Sequence, residues 1–184
     1  GVFKRLLTDS LYVAAVQDLK ALGATIVEVE EGERQLPNFI NLLNLDMRKD
    51  LPLYLNTYAN HSLEIHSVSD VIDFNKTDSL DIMPYGQKLF LGIVADEGDE
   101  NSLKRIKDSL NYIGKSFFDQ PQKANKLDGF LSINNYHAGL AAVAEYPAIT
   151  VPMGYEANGK PKGLTFIGKR LSEKQLLEYA FAYE

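Results

Sequence analysis

The sequence contains no cysteine and only three histidines among its 184 residues. Without cysteine there is no disulfide, no thiolate nucleophile and no cysteine-ligated zinc, which is typical of cytoplasmic proteins. No apolar run approaches the roughly 18 residues that indicate a membrane-spanning helix, and no signal peptide is visible. We therefore expect a cytoplasmic protein that has no membrane partner.

Positive charge is scarce as well. The net charge is −6 and the pI is near 5.1, so the basic surface that nucleic-acid binding requires is missing. Basic residues cluster in short runs such as 103–108, but acidic residues are interleaved with them, which indicates solvated helix faces. We expect no nucleic-acid partner. The chain shows no repeat and no linker, and its length fits one domain, so residues 1–184 are predicted to form a single domain.

The common catalytic motifs are also absent. There is no G-x-S-x-G elbow, no S-x-x-K, no H-E-x-x-H and no phosphate-binding loop, and no G-x-G-x-x-G follows a predicted strand. The spacing of His61 and His66 does not suit a helical zinc pair, and His137 lies near the start of a predicted helix. We expect all three histidines to be exposed or hydrogen-bonded, and we predict no metal and no cofactor.

Ser132 is the one serine in a position typical of function, because it lies just past a predicted strand, where α/β folds place functional groups. A lone serine without a paired base is weak support for a nucleophile. We therefore predict no catalytic residue within this chain.

Strand and helix patterns alternate at both ends of the chain. Residues 24–30 alternate apolar and polar side chains as a half-buried strand does, and an amphipathic helix precedes them from Thr8 or Asp9 to Gly23. The middle of the chain is predicted to be helical, with a helix bent or broken before Pro52. The pattern predicts an α/β fold in layers, with a mixed or parallel sheet flanked by helices.

The run "YPAITVPMGYEANGKPKGLTFIGKRLSEKQLLEYAFAYE", residues 146–184, contains two apolar strands joined by a glycine turn and followed by a helix. It closely resembles the C-terminal end of the amidase signature family. Residues 20–30 resemble the helix and strand that follow the catalytic core in that family, and 127–131 resemble its last Leu-Asp strand. The similarity spans nearly the whole chain, and it is weak only over 35–64.

The resemblance implies the fold and chemistry of that family, whose members hydrolyse or transfer amides with a Lys–Ser–Ser triad. Those residues lie ahead of the part that this chain resembles, so the resemblance assigns no catalytic residue here. The chain opens without methionine and ends within an apolar helix pattern, so we expect it to be the C-terminal part of a longer amide hydrolase. We also expect it to be inactive alone and to supply sheet scaffold and a wall of the substrate funnel.

Four residues are candidates for binding a small-molecule or peptide amide substrate: Phe74, Asn75, Tyr85 and Gln87. They lie in segments 67–75 and 81–90, which are similar to segments of the peptide-amidase-like branch. Loop-rich inserts commonly determine specificity. The alternatives are core packing for the two aromatic rings and backbone hydrogen bonds for the two amides.

The chain departs from the family pattern at two places. Glu145 stands where the family usually has glycine, which casts doubt on an unusual backbone angle there. Residues 132–135 read Ser-Ile-Asn-Asn in place of the usual Thr-Pro, which is expected to alter the pocket rim.

Two other functions stay open. One is a free-standing binding or regulatory module without catalysis, and the other is part of the tRNA-dependent amidotransferase subunit that shares the family fold. In either case, half of a fold leaves apolar surface and sheet edges without partners. We therefore expect an exposed sheet surface through which copies of the chain associate as a homo-oligomer.

Overall fold

The computed structural model describes residues 1–60 and 62–184, and His61 lies outside the described residues. The chain divides into two compact units. The sheet unit comprises residues 1–36 and 109–184, and the helical unit comprises residues 37–108. Whether they behave as the single domain predicted from the sequence stays a prediction, and each unit is described by itself.

The sheet unit is built on a five-stranded mixed sheet in the order β2-β1-β3-β5-β4. Its strands are β1 (Val2–Phe3), β2 (Glu28–Val29), β3 (Phe130–Ile133), β4 (Ala148–Tyr155) and β5 (Pro161–Ile167). β1 pairs in parallel with both β2 and β3, whereas β5 is antiparallel to both β3 and β4. The predicted mixed sheet and the parallel β–α–β start are confirmed.

Helices cover the sheet. A 3₁₀ helix (Lys4–Thr8), α1 (Ser10–Ala21), α7 (Ala138–Ala144) and α8 (Glu173–Tyr183) belong to this unit, with the second part of α6 (Glu100–Asn125). Asp9 caps α1 by accepting hydrogen bonds from the backbone N–H groups of Leu11 and Tyr12, each at 3.1 Å. Lys162 on β5 contacts Asp9 and also Glu156, at 3.2 Å. The cap and this ion pair together fix the start of α1 over the sheet.

The core lies between the sheet and these helices. All four residues of β3 are buried, and the Tyr12 hydroxyl donates to the carbonyl of Leu131 at 2.9 Å. Phe118 and Leu164 are fully buried, and burial of each such side chain contributes about 1.5–3 kcal/mol. β3 is therefore a central strand whose two neighbours come from opposite ends of the chain.

The β4–β5 hairpin turns where the sequence predicted it. Gly159 has a φ of 83°, and the Asn158 side chain accepts from the Lys160 backbone N–H at 2.9 Å. A positive φ suits glycine, because a Cβ would be strained there. The turn thus sets the register of the hairpin.

The helical unit contains α2 (Phe39–Tyr58), α3 (Val68–Lys76), α4 (Ser79–Ile82), α5 (Lys88–Ala95) and the first part of α6. Ser67 caps α3 by accepting from the Asp70 backbone N–H at 3.1 Å, as predicted. α2 runs through Pro52 without interruption, so the predicted break there was wrong. Proline removes one N–H donor from the helix, and the hydrogen bonds on both sides of it are enough to continue the helix to Tyr58.

One side of α2 is apolar and exposed. Five residues form it: Ile40, Leu43, Met47, Tyr54 and Tyr58. They recur at the spacing that places side chains on one helix face. Within the described ranges, no helix is long and apolar enough to cross a membrane.

Gly114 provides a test of helix packing. A Cβ built there would lie 2.7 Å from the carbonyl oxygen of Leu140 and 2.8 Å from the backbone nitrogen of Ala144. We expect Gly114→Ala to lower the free energy of unfolding by about 1–3 kcal/mol, because this overpacking outweighs the higher helix propensity of alanine. The control is Gly92→Ala in α5, where the nearest atom is 3.9 Å away. Urea unfolding that shows equal effects at both positions would contradict the close packing of α6 and α7.

Glu145 provides a test of backbone strain. It ends α7 in the left-handed conformation, with a φ of 61°, so the geometry that glycine would permit is kept. Its side chain reaches Arg170 at 3.6 Å, but an exposed ion pair of this kind adds little. We expect Glu145→Gly to raise the free energy of unfolding by about 1 kcal/mol and Glu145→Ala to leave it nearly unchanged. A loss of stability in Glu145→Gly, measured by urea unfolding, would show that the carboxylate matters more than the backbone.

Candidate functional site

Two of the four residues predicted to bind substrate touch each other in the helical unit. The Asn75 side-chain amide donates to the Gln87 side-chain oxygen at 3.1 Å. The Gln87 amide nitrogen in turn donates to the carbonyl of Ile72 at 3.3 Å. Since α3 ends at Lys76 and α5 begins at Lys88, this amide pair fixes the end of one helix to the start of the next.

The two predicted aromatic residues are exposed. Phe74 is 50% exposed and Tyr85 is 100% exposed, so neither ring is a core residue of the part of the chain described. Tyr85 precedes Gly86, whose φ is 72°, in the turn between α4 and α5. The role of all four residues in binding substrate stays a prediction.

The sheet unit contains a buried row of polar side chains that the sequence did not reveal. The Ser132 hydroxyl lies 2.6 Å from Nδ1 of His137, and Nε2 of His137 lies 2.8 Å from a carboxylate oxygen of Glu31. Glu31 also contacts the guanidinium groups of Arg5 and Arg34, the latter at 3.0 Å. Strand β3, the turn before α7 and the segment after β2 meet in this row.

The hydrogen-bonding pattern assigns the protons of the row. A carboxylate only accepts, so Nε2 of a neutral His137 carries the hydrogen and Nδ1 accepts from the Ser132 hydroxyl. Burial lowers the pKa of His137, although the Glu31 carboxylate opposes that effect. Burial raises the pKa of Glu31, but hydrogen bonds from Arg5 and His137 outweigh it and hold that pKa below its ordinary value. The row is therefore a neutral imidazole between a hydroxyl and a carboxylate.

A serine, a histidine and a glutamate in line have the residue types of a hydrolytic triad, but this row is closed. Ser132 is 0% exposed and His137 is 1% exposed. The rings of Phe3 and Phe117 flank the imidazole at centroid distances of 4.5 and 5.7 Å. A nucleophile must reach its substrate, so in this arrangement the row joins segments of the fold and is not positioned to attack an amide.

These contacts correct the interpretation of two residues from the sequence. Ser132 lies within β3 and pairs with Thr165 of β5, not beyond the strand end, and it has a histidine partner. His137 is hydrogen-bonded as expected, and it is buried. His66 is exposed, and its backbone N–H donates to Asp70 at 2.9 Å.

The sequence patterns missed Glu31 altogether, because nothing local marks it. It is 106 residues from His137, and its neighbours Glu30 and Glu33 are also acidic. A pattern search could have paired Ser132 with His137, which lie five residues apart. The selection of Glu31 from a run of acidic residues depends on the pairing of β2, β1 and β3.

A cavity of about 510 Å³ lies beside the row in the sheet unit. Residues 33–36 line one side of it, and Tyr136, Gly139 and Leu140 line the other. Arg34 belongs both to the cavity wall and to the ion pair with Glu31. The segment after β2 therefore forms a wall of the cavity and is fixed by the buried row.

The Ser-Ile-Asn-Asn sequence at the end of β3 forms a clamp on β5. Asn134 adopts a φ of 47°, and its side-chain oxygen accepts from the Gly163 backbone N–H at 2.7 Å. Its own backbone N–H donates to the carbonyl of Gly163 at 2.9 Å, and its carbonyl accepts from the hydroxyl of Thr165 at 2.5 Å. Asn134 thus ends β3 with contacts that the usual Thr-Pro could not make in the same way.

The charged residues do not suggest a metal centre. Among residues 1–60 and 62–184, no three histidine or acidic side chains are grouped so that they could hold an ion. The prediction of no metal and no cofactor stays a prediction.

Comparison with known proteins identifies relatives of the chain. A probable amidase from Arabidopsis thaliana is 30% identical over 139 residues, which cover 73% of this chain and 27% of the relative. The amidase-like subunit of glutamyl-tRNA(Gln) amidotransferase from Staphylococcus aureus is 26% identical over 92% of this chain and 39% of the relative. The crystal structure of native peptide amidase from Stenotrophomonas maltophilia matches with a TM-score of 0.83 and 29% identity, over 100% of this chain and 42% of that protein. No protein-family model matches the chain.

These similarities, together with the mixed sheet flanked by helices, define an amidase fold. The chain belongs to the amidase signature family. It spans between about a quarter and two fifths of the length of these relatives. The family and fold predicted from the sequence are confirmed.

Removal of the Ser132 hydroxyl tests the buried row. We expect Ser132→Ala to lower the free energy of unfolding at pH 7.5 by about 1–3 kcal/mol, because Nδ1 of His137 would be left buried without a donor. The control is Ser172→Ala, whose hydroxyl donates to the Lys169 carbonyl at an exposed position and should matter by less than about 0.5 kcal/mol. If urea unfolding gives the two variants equal stability, the row does not stabilise the fold.

Proposed function

We propose that this chain acts as the C-terminal part of an amide hydrolase, which cleaves the C–N bond of a carboxamide or a peptide amide when the family fold is complete. The observation that carries the proposal is the match of the whole chain to peptide amidase, both in sequence and in structure. The Lys–Ser–Ser triad that the resemblance implies would come from the other part of that fold. The chain then supplies structure and specificity instead of the nucleophile.

The sheet unit supports the scaffold role. Its buried central strand and its capped, ion-paired α1 form a rigid layer. β4 is the last strand of the sheet order, so one of its edges offers backbone N–H and C=O groups to a further strand. A scaffold of this kind holds catalytic groups that lie on neighbouring strands or loops.

The helical unit supports the role of a substrate-funnel wall. Phe74 and Tyr85 present aromatic rings at the surface, and such rings commonly line the apolar part of a ligand pocket. Asn75 and Gln87 are partly buried and already bonded to each other. Both amides have hydrogen-bonding capacity beyond that one bond, so this pair is suited to recognise the amide group of a substrate.

The chain alone should not hydrolyse amides. Ser132 has a histidine partner but no exposed surface, so water-borne substrates cannot reach it. We therefore propose that the isolated chain is inactive and that catalysis requires the rest of the family fold.

A second function is favoured by one observation, the similarity to the glutamyl-tRNA(Gln) amidotransferase over 92% of this chain. In this alternative, the chain belongs to an enzyme that transfers ammonia instead of releasing it to water. The two alternatives differ in the acceptor of the amide nitrogen and not in the scaffold.

We also propose that copies of the chain associate through exposed sheet surface at β4. The strand is an edge of the sheet, and Pro152 and a register irregularity between Pro152 and Gly154 interrupt its ladder. Such interruptions limit edge pairing to short stretches. We therefore expect a weak, concentration-dependent dimer.

A chimera tests the proposed function. The chain would replace the matching 42% of the Stenotrophomonas maltophilia peptide amidase, and a second chimera would place it in the matching part of the Staphylococcus aureus amidotransferase. We expect the first chimera to hydrolyse peptide amides and the isolated chain to show no turnover. Circular dichroism and gel filtration would establish that each chimera folds.

A folded first chimera without activity would contradict the peptide-amidase role. Glutamine-dependent activity of the second chimera alone would favour the amidotransferase alternative. Turnover by the isolated chain that disappears in Ser132→Ala would overturn the proposal, because it would make the buried serine a nucleophile.

The amide pair is tested in the same chimera. We expect Gln87→Ala and Asn75→Ala to raise KM for peptide amides by about tenfold each, with kcat changed much less, because each removes hydrogen bonding worth about 1–1.5 kcal/mol. The matched control is Gln35→Ala, an exposed amide in the sheet unit. Equal KM values for the parent chimera and both variants would exclude the pair from substrate binding.

A further inference from the structure

We propose that Ser132, His137 and Glu31 form an acid-sensitive latch, in which protonation of His137 releases residues 30–36 from the end of β3 and opens the neighbouring cavity. The latch concerns a change of conformation in the sheet unit, and it does not depend on amide hydrolysis. It uses the buried row, which the proposed function leaves without a role.

The latch joins segments that little else holds together by polar contacts. Residues 30–36 have no regular secondary structure, and their buried polar anchor is Glu31, whose side chain is 8% exposed. The other ion pair of the segment, between Lys4 and Glu30, is exposed on both sides and so contributes little. The position of the segment therefore depends strongly on Glu31.

Protonation would disturb the row at the serine. In the neutral imidazole, Nδ1 accepts the Ser132 hydrogen and Nε2 donates to Glu31. In the imidazolium both ring nitrogens are donors, so the Ser132 hydroxyl loses its acceptor in a site where that serine is 0% exposed. A buried donor left without a partner is costly, and outward movement of the segment admits water that satisfies it.

The charges around His137 act in both directions. The carboxylate of Glu31 attracts the imidazolium, whereas Arg5 on the 3₁₀ helix and Arg34 on the segment repel it and already occupy Glu31. The neighbours from β1 and α6 are the rings of Phe3 and Phe117, which carry no charge. Desolvation is the largest of these effects, and it lowers the pKa of His137.

The sign of the pH dependence follows from that direction. The pKa of His137 in the folded sheet unit lies below the ordinary value of 6.5 that the released state approaches. The released state therefore binds more protons as the pH falls below about 6.5. The closed latch is fully stable above that pH and loses stability below it, until the pH passes the folded pKa. The lowered pKa of Glu31 acts in the same direction at still lower pH.

Hydrogen exchange measured by mass spectrometry tests the latch on the full chain. Opening of residues 30–36, corrected for intrinsic exchange rates, should increase as the pH falls from 7.5 to 5.5, by at most about tenfold per pH unit for the uptake of one proton. His137→Gln should remove this dependence, and Ser132→Ala should weaken it, because no hydroxyl is orphaned. His66→Gln, which replaces an exposed histidine, should behave as the parent does.

A direct NMR measurement covers the case in which His137→Gln fails to fold. The ¹⁵N shifts of the parent His137 ring should show hydrogen on Nε2 and titration below pH 6.5, together with exchange broadening in residues 30–36. Hydrogen on Nδ1 at neutral pH would overturn the latch, as would pH-independent protection of residues 30–36 in the parent. Retention of the pH dependence in a folded His137→Gln variant would overturn it as well.

Discussion

The burial of β3 is the constraint on which the sheet unit depends. A strand buried on both faces needs hydrogen-bonding partners on both edges, and β3 obtains them from β1 near the start of the chain and from β5 near its end. An unpaired backbone group in this position would cost about as much as a lost hydrogen bond. This double pairing brings Ser132 close to the segment after β2, and it leaves β4 as the open edge.

The same pairing creates the chemistry of the buried row. Serine, histidine and glutamate in line usually indicate a hydrolase, but access and not residue type decides whether such a row reacts. Here the aromatic rings of Phe3 and Phe117 close the site. The amide chemistry of the family therefore belongs to the complete fold, and the row in this chain is better explained as a fastening between segments.

Most of the sheet could be predicted from the sequence, because its signals are local. The Asp9 cap, the Asn158-Gly159 turn and the apolar strands 148–155 and 161–167 each have a pattern that one window of sequence reveals. Two predictions depended on longer-range effects and failed. Pro52 does not break α2, and the backbone at Glu145 keeps the geometry expected of glycine because tertiary contacts impose it there.

The family, the mixed α/β layering and the hairpin follow from the amino-acid sequence alone, since they depend on periodicity, turn residues and a long ordered run of matched positions. Three contacts emerge only in the folded chain: Asn75 meets Gln87, Ser132 gains a histidine partner, and Glu31 completes the row. The physical reason is distance along the chain. A contact between residues more than a hundred positions apart is set by strand pairing and burial, and no local pattern encodes which acidic side chain will be enclosed.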